Sequence, residues 1–280
     1  MDPLSALFYG IIQGASEFLP ISSSGHLVLA QHFFGASDIE ADYMAFNILL
    51  HLATLLAVVG YYIKDVIALI KAFFSMCGDL ARGRGAGLGD PWRRLALMII
   101  VSVVPLFFIV PVKDQLEGIS KYPAVVGLLL IVTGVILHWS DRLSDKLGGK
   151  GREIKDATLS DALIVGIFQA FGTLPGISRS GSTISGGLFR GLDRRLAVRF
   201  SFLMSIPAVL GANILSIKDI AALSSADLPA YLLGMAAAAA AGLISIGLIN
   251  RLARKGGFKV FSIYCTAVGA LTVILVLAGF

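Results

Sequence analysis

Six apolar stretches decide what this chain can fold into. They are residues 44–63, 95–112, 122–139, 196–217, 229–249 and 260–279, and together they contain one charged side chain, Arg199. A helix crossing a bilayer needs roughly 20 apolar residues, because the hydrocarbon core is about 30 Å thick and each residue advances about 1.5 Å. All six fit that requirement. Charged residues are only 15% of the 280, against about a quarter in soluble domains, so too few polar side chains exist to cover a water-facing surface. That excludes a soluble cytosolic enzyme and a disordered protein. It also excludes a nucleic-acid binder, despite the net charge of +5. The expected fold class is all-α, a polytopic membrane protein forming one integral domain over 1–280. Cys77 and Cys265 fit neither a metal spacing nor a disulfide framework. Met1-Asp2-Pro3 lacks the positive start of a signal peptide, so none is expected.

Loop charge orients the spans. Loop 64–94 carries Lys64, Lys71, Arg82, Arg84, Arg93 and Arg94; loop 140–156 carries Arg142, Lys146, Lys150, Arg152 and Lys155. Loop 250–259 carries Arg251, Arg254, Lys255 and Lys259, whereas 113–121 has only Lys113 and Lys121, and 218–228 only Lys218. The positive-inside rule places the first three loops in the cytoplasm. The last two then lie outside, with Asp38, Glu40, Asp42 and the C-terminus. Residues 64–80 read as an amphipathic helix lying in the interface, and Ala236–Ala241 as a close-packing helix face.

Two further apolar regions, 4–36 and 157–190, are broken by Gly, Pro and Ser. Irregular backbone at membrane depth is tolerated only where it is buried in protein or lines a wet cavity. Both regions therefore read as re-entrant helix–loop–helix segments. They also resemble each other. A shift of 156 residues aligns Ala6, Leu7, Gly10, Ile11, Gln13, Ile21, Ser22, Ser24 and Gly25 with identical residues, nine in a window of twenty. Under the charge rule, span 44–63 runs inward while its counterpart 196–217 runs outward. The chain thus reads as an inverted-topology repeat, with halves of approximately 1–140 and 157–280. In transporters of that build, sites sit at the repeat interface. The two re-entrant tips could meet there.

The chemistry sits in these tips. The first motif runs Gln13-Gly14-Ala15-Ser16-Glu17-Phe18-Leu19-Pro20-Ile21-Ser22-Ser23-Ser24-Gly25-His26. Gln13 and Glu17 are four apart and share a helix face, and Pro20 disfavours helix at Leu19. The second motif, Pro175-Gly176-Ile177-Ser178-Arg179-Ser180-Gly181-Ser182-Thr183, has the same frame with Arg179 in place of Ser23. Ionisable groups at bilayer depth cost roughly 2.5–3.5 kcal/mol on insertion scales and normally face a cavity or one another. An acid, an imidazole, a guanidinium and clustered hydroxyls suit phosphate. Arg presents a planar donor fork, Ser/Gly turns form anion nests, and Ser beside His and Glu can act as nucleophile, base and orienter. Each reading has a plain rival. Ser22 and Ser24 equally suit helix capping, and the lesser reading of Arg179 is a structural pair with Glu17. His51 and His138 have no companion motif and read as packing or interfacial groups. His32 is a weak candidate for the outer mouth.

The two motifs, read through Leu27 and Ile184, closely resemble those of the undecaprenyl-diphosphate phosphatase family, also called the bacitracin-resistance family. The resemblance extends along essentially the whole chain. It implies a plasma-membrane hydrolase that removes the terminal phosphate of undecaprenyl diphosphate, facing the outer side and recycling the lipid carrier for peptidoglycan and other envelope polymers. It implies a divalent metal, Mg²⁺ or Ca²⁺, and catalytic roles for Glu17, Ser23, His26 and Arg179. Gln13 stands where the family has Glu or Gln, which leaves Glu17 as the main carboxylate for a metal, with Gln13 beside it. Ser23 is the expected nucleophile and His26 its base, with His26 as nucleophile the lesser alternative, while Glu17 either orients His26 or binds metal. Gln13, Ser22, Ser24, Gly25, Ser178, Ser180, Gly181 and Thr183 are the expected substrate-binding residues. The expected partners are a polyprenyl diphosphate lipid, the bilayer and a second copy as a homodimer, with no nucleic acid. The rival function is a transporter or flippase for a polyprenyl phosphate lipid, with the same residues binding and not cutting.

Overall fold

A computed structural model describes residues 1–35, 44–148, 151–215 and 227–280. All the regular elements among them are helices. In chain order the long ones are α1 (Pro3–Phe18), α2 (Ser23–Phe34), α3 (Met44–Tyr61), α4 (Ile63–Ala81), α5 (Pro91–Val103) and α6 (Pro123–Lys146). They continue with α7 (Leu159–Phe171), α8 (Arg179–Phe189), α9 (Arg194–Leu215), α10 (Leu228–Lys255) and α11 (Lys259–Leu277). Six are long and apolar enough to cross a bilayer: α3, α5 with its extension to Val112, α6, α9, α10 and α11. These coincide with the six apolar stretches. The ends differ where polar residues prolong a helix, to Lys146 in α6 and Lys255 in α10. After Val103, α5 tightens into 3₁₀ turns at Pro105, which lacks an N–H and crowds the preceding turn. Helix α4 is the amphipathic helix expected over 64–80, with Ile67, Ile70, Phe73 and Phe74 exposed and Ala72 and Met76 buried. Asp38, Glu40, Asp42, Lys150 and Lys218, used in the orientation argument, lie outside the described residues.

Hydrogen bonds join the three basic loops at one end of the bundle. Arg94 Nη1 donates to the carbonyls of Lys155 and Ala157. Arg194 Nη2 donates to Asp141 Oδ1 at 2.7 Å and Asp145 Oδ1 at 2.8 Å, and the Phe258 N–H donates to Asp141 Oδ2 at 2.9 Å. Asp161, fully buried, takes Arg152 Nη1 at 2.9 Å and Arg190 Nε at 2.6 Å. Burial alone would raise this carboxyl, but hydrogen bonds from Arg152, Thr158 and Arg190 outweigh it and hold the group at about 2. Helices α10 and α11 run from or to the other end, where the Met1 amine pairs with Asp227 at 2.8 Å and His32 Nε2 donates to the Phe280 carbonyl at 3.2 Å.

These contacts fix the two broken regions. The α1–α2 pair starts and finishes at the Asp227–Phe280 end. The α7–α8 pair starts and finishes at the basic end, since Asp161 opens α7 and Arg190 follows α8. Each pair therefore begins and finishes at one end of the bundle, and the two turns touch. Ser180 Oγ donates to the Leu19 carbonyl at 3.3 Å, a Cβ on Gly181 would sit 3.2 Å from Pro20 Cβ, and one on Gly25 3.2 Å from Gly176 Cα. The first helix of each pair packs on a span from the other half. Gly10 and Gly14 of α1 press directly against the carbonyls of Gly234 and Ala238 in α10, and Gly166 of α7 against that of Ser102 in α5. Without a hydrophobic driving force in lipid, such close small-residue approach is what holds helices together. Around the α8 side, Phe18, Met98, Leu137, Ile184, Leu188, Phe200, Phe202 and Ile246 form one buried cluster.

Candidate active site

The first turn begins where Pro20 ends α1. Ser22 has φ 71°, the one positive φ outside glycine among the described residues. Such a conformation costs about 1–3 kcal/mol and persists only where the surroundings impose it. Here Ser22 caps α2, its Oγ accepting from the Gly25 N–H at 3.2 Å, and the bend sets Ser23 at the first position of the helix. The second turn is built alike. Ser178 Oγ accepts from the Gly181 N–H at 3.1 Å and caps α8. Gly176 has φ 98° and would strike the Val126 carbonyl with any side chain. Thr133 of α6 locks this turn from both sides, accepting from the Ser178 N–H and donating to the Gly176 carbonyl, each at 3.1 Å. Two helix N-termini thus meet at one spot, each offering unpaired N–H groups and partial positive charge.

Glu17, at the end of α1 and 8% exposed, is the centre. Its Oε1 accepts from Arg179 Nη2 at 2.5 Å, and its Oε2 accepts from Ser23 Oγ and Gln13 Nε2, each at 3.1 Å. Gln13 Nε2 also lies 3.2 Å from His51 Nδ1 in α3. Two buried atoms of this cluster have no partner, the donor Arg179 Nη1 and the acceptor Gln13 Oε1. A buried polar group without a partner is destabilising by about 1–3 kcal/mol, so each is a candidate to meet a water or ligand atom of opposite character. The Glu17–Arg179 pair weighed as a structural alternative exists. It occupies one guanidinium nitrogen and leaves the other.

The expected pairing of Ser23 with His26 is not what the geometry shows. Ser23 is bonded to Glu17, six residues back. His26, one helical turn after Ser22, directs Nδ1 to the Ser22 carbonyl at 2.8 Å and Nε2 to Tyr264 Oη of α11 at 2.7 Å. Glu17 therefore holds Ser23, not His26. Among the other expected substrate groups, Ser22 and Ser178 act as caps, Ser24 Oγ lies 3.4 Å from Ser22 Oγ, and Ser180 Oγ 3.2 Å from Ser178 Oγ. Thr183 faces away into α9, 2.6 Å from Ser201 Oγ, and donates to the backbone of its own helix. Gly25 and Gly181 serve tip-to-tip contact. Sequence reasoning assigned His51 to packing and passed over Tyr264 and Thr133; His51 reaches Gln13 of α1 across 38 residues, and Tyr264 and Thr133 reach the turns across 238 and 45. His51 at least carried a signal, an ionisable group in a span, which by itself marks a functional candidate.

A hard cation is met by oxygen donors. No group of three or more His, Cys, Asp or Glu side chains converges among the described residues. Glu17, Gln13 Oε1 and Ser23 offer oxygen donors of the kind Mg²⁺ takes, and that ion usually keeps waters and binds one or two carboxylates plus substrate phosphate oxygens. A cavity of about 450 Å³ between α6 and α11, lined by Gly134, His138, Trp139, Ser262 and Thr266, includes none of these residues.

Against known proteins, the family model described as bacitracin resistance protein BacA matches residues 6–271. A protein of Methanosphaera stadtmanae named undecaprenyl-diphosphatase is 42% identical over 280 residues, covering 98% of each chain. One of the same name from Alkaliphilus metalliredigens is 39% identical over 281 residues, again covering 98% of each. Another, from Carboxydothermus hydrogenoformans, is 38% identical over 284 residues, covering 100% of this chain and 99% of its own.

Proposed function

The chain belongs to the bacitracin resistance protein BacA family, and we infer from that premise that it is an undecaprenyl-diphosphate phosphatase. It is a multi-pass membrane hydrolase that cleaves the phosphoanhydride of undecaprenyl diphosphate into undecaprenyl phosphate and phosphate. The single observation that carries the mechanism is the buried Glu17 carboxylate, which holds a serine hydroxyl on one oxygen and a guanidinium with an unpartnered N–H on the other.

In the proposed reaction Ser23 Oγ attacks the terminal phosphorus and gives its proton to Glu17 Oε2. The bridging P–O bond breaks, and undecaprenyl phosphate leaves as an anion that needs no proton. Arg179 Nη1 and the N-terminal N–H groups of α2 and α8 hold the oxygens of the transferred group. Positioning and electrostatics supply most of the catalysis in phosphoryl transfer. Water then attacks the phosphoserine phosphorus and gives a proton to His26, while the P–Oγ bond breaks, Glu17 returns its proton to Ser23 and inorganic phosphate leaves. A divalent cation, Mg²⁺ or Ca²⁺, is part of the proposal. Glu17 and Gln13 Oε1 would hold it, and it would neutralise phosphate charge.

The plasma membrane as location, and a site opening to its outer side, belong to the same proposal. The basic loops gathered at one end of the bundle support that orientation. The back-turning helix pairs, which start from opposite ends and touch at their tips, support the reading of two re-entrant segments in an inverted repeat. Single-molecule bleaching in lipid discs tests whether two copies associate. The decisive assay is phosphate release from undecaprenyl diphosphate by purified protein in detergent with Mg²⁺. Release that is lost in Ser23→Ala supports hydrolysis at this site. A folded protein that binds the lipid and releases no phosphate overturns the reading and favours the transporter.

A further inference from the structure

We propose that Tyr264 is a positioning residue of the phosphatase reaction. It holds the His26 ring so that Nε2 is the nitrogen that exchanges protons. The inference rests on the proposed phosphatase reading and goes beyond it to a residue of the last helix that neither motif contains.

His26 Nδ1 lies 2.8 Å from the Ser22 carbonyl oxygen. A carbonyl only accepts, so Nδ1 carries a hydrogen in both charge states of the ring. In the neutral ring Nε2 is then the bare nitrogen. Its partner is Tyr264 Oη at 2.7 Å. A phenol hydroxyl donates to a neutral Nε2 and accepts from a protonated one, so this contact survives both halves of a proton-transfer cycle. The two rings also lie parallel, 6° apart with centroids 5.5 Å apart, which fixes the plane of the imidazole as well as its tip. Tyr264 is anchored by its neighbour in sequence. Cys265 is fully buried with its Sγ 3.4 Å from the Pro20 carbonyl, so this turn of α11 is registered on the same loop that carries the motif. Tyr264 itself is 40% exposed, leaving room for a substrate or water to meet Nε2 beside it. Without Oη, Nε2 loses its partner and the imidazole keeps only its backbone contacts to Ser22 and Ile21.

Tyr264→Phe keeps the ring and removes only Oη. The expected result is a fall in kcat of roughly tenfold, the size of one hydrogen bond of about 1–1.5 kcal/mol, with KM and melting temperature unchanged. In a His26→Ala background the same substitution should have no further effect on kcat, because residues acting as one unit do not add. Additive losses would mean that Tyr264 touches substrate on its own, and would overturn the proposal. A second readout does not depend on turnover. In protein carrying ¹⁵N-histidine, the His26 resonances should report hydrogen on Nδ1 and a hydrogen-bonded Nε2 in the wild type, with the Nε2 signal displaced in Tyr264→Phe. An unmoved Nε2 signal would also overturn the proposal. If the wild type releases no phosphate but the Nε2 signal moves, the phosphatase reading fails while the His26–Tyr264 contact stands.

Discussion

Arg179→Lys separates the two jobs that the structure gives one guanidinium. Nη2 pairs with Glu17 at 2.5 Å, while Nη1 is buried and free. Lysine offers a point charge on a flexible stem and can satisfy the carboxylate, but it cannot reach a second acceptor in the plane of the first. The pair should therefore survive and the phosphate contact should not. Losing one preorganised donor to a developing charge costs about 2.7–4 kcal/mol, or roughly 10²–10³ in kcat. Arg179→Ala should behave differently, leaving a buried carboxylate with no cation. Removing one partner of a buried pair destabilises by about 3–5 kcal/mol. Adding Glu17→Gln to that variant should restore much of the stability and none of the turnover. The assay is phosphate release measured beside the melting temperature in detergent for all three variants. An Arg179→Lys enzyme within a few-fold of wild type would refute the division of labour, because a charge alone would then suffice.

Four other outcomes are expected. Ser23→Ala and Glu17→Gln should each remove most of the turnover, and the double variant should be little worse than the poorer single; clearly multiplicative losses would separate the two residues. Gly14→Val should lower the melting point by the equivalent of about 1–3 kcal/mol through overpacking, because its Cβ has no room against the Ala238 carbonyl; unchanged melting would mean that α1 and α10 are not in close contact. Asp161, held at about 2 in the fold against 3.8 ordinarily, contributes on the order of 2 kcal/mol of stability that is complete above its unfolded value and fades as pH falls through the folded one. Asp161→Asn should flatten the melting temperature between pH 4 and 2 on the scale of that shift, and an equally steep loss in the variant would assign it elsewhere. Cys77 is exposed and Cys265 buried, so an impermeant maleimide should label the wild type once, at Cys77, and only after cells are permeabilised. Labelling of intact cells would reverse the orientation.

The spans were legible because membrane depth leaves few alternatives: an uncharged run near twenty residues has nowhere else to go. The breaks at Pro20 and Pro175 were legible because proline beside clustered Ser and Gly disfavours helix, whereas Pro207 alone is accommodated inside α9. Capping by Ser22 and Ser178 followed from local chemistry. What the sequence did not carry was partnership. Ser23 and His26 are neighbours on paper, but the turn at Ser22 points them to different helices. Whether Ser23 meets an imidazole or a carboxylate depends on a backbone angle that a non-glycine residue rarely adopts. His51, Tyr264 and Thr133 belong to spans whose apolar pattern says only that they cross. Their relation to the turns is set by which faces of α3, α11 and α6 pack inward, and that is decided by close approaches such as Gly127 against Gly269 and Gly134 against Ser262.

The pairing of Glu17 with Arg179 joins residues 162 apart in the chain, and this has a consequence for synthesis. At roughly 5–20 residues per second the ribosome needs about 8–30 s to cover that distance. During that interval an acidic residue in an apolar helix has been made and its guanidinium partner has not. An uncompensated charge at bilayer depth is unfavourable by several kcal/mol, so the low-energy states for the newborn α1 are a protonated carboxyl or a helix waiting at the water boundary. Final burial of α1 is then timed by the second half of the chain. The reactive centre comes into being in a single late event, so a truncated chain leaves no partly active hydrolase in the membrane. A chain stopped before residue 157 should leave position 17 reachable by water-soluble reagents.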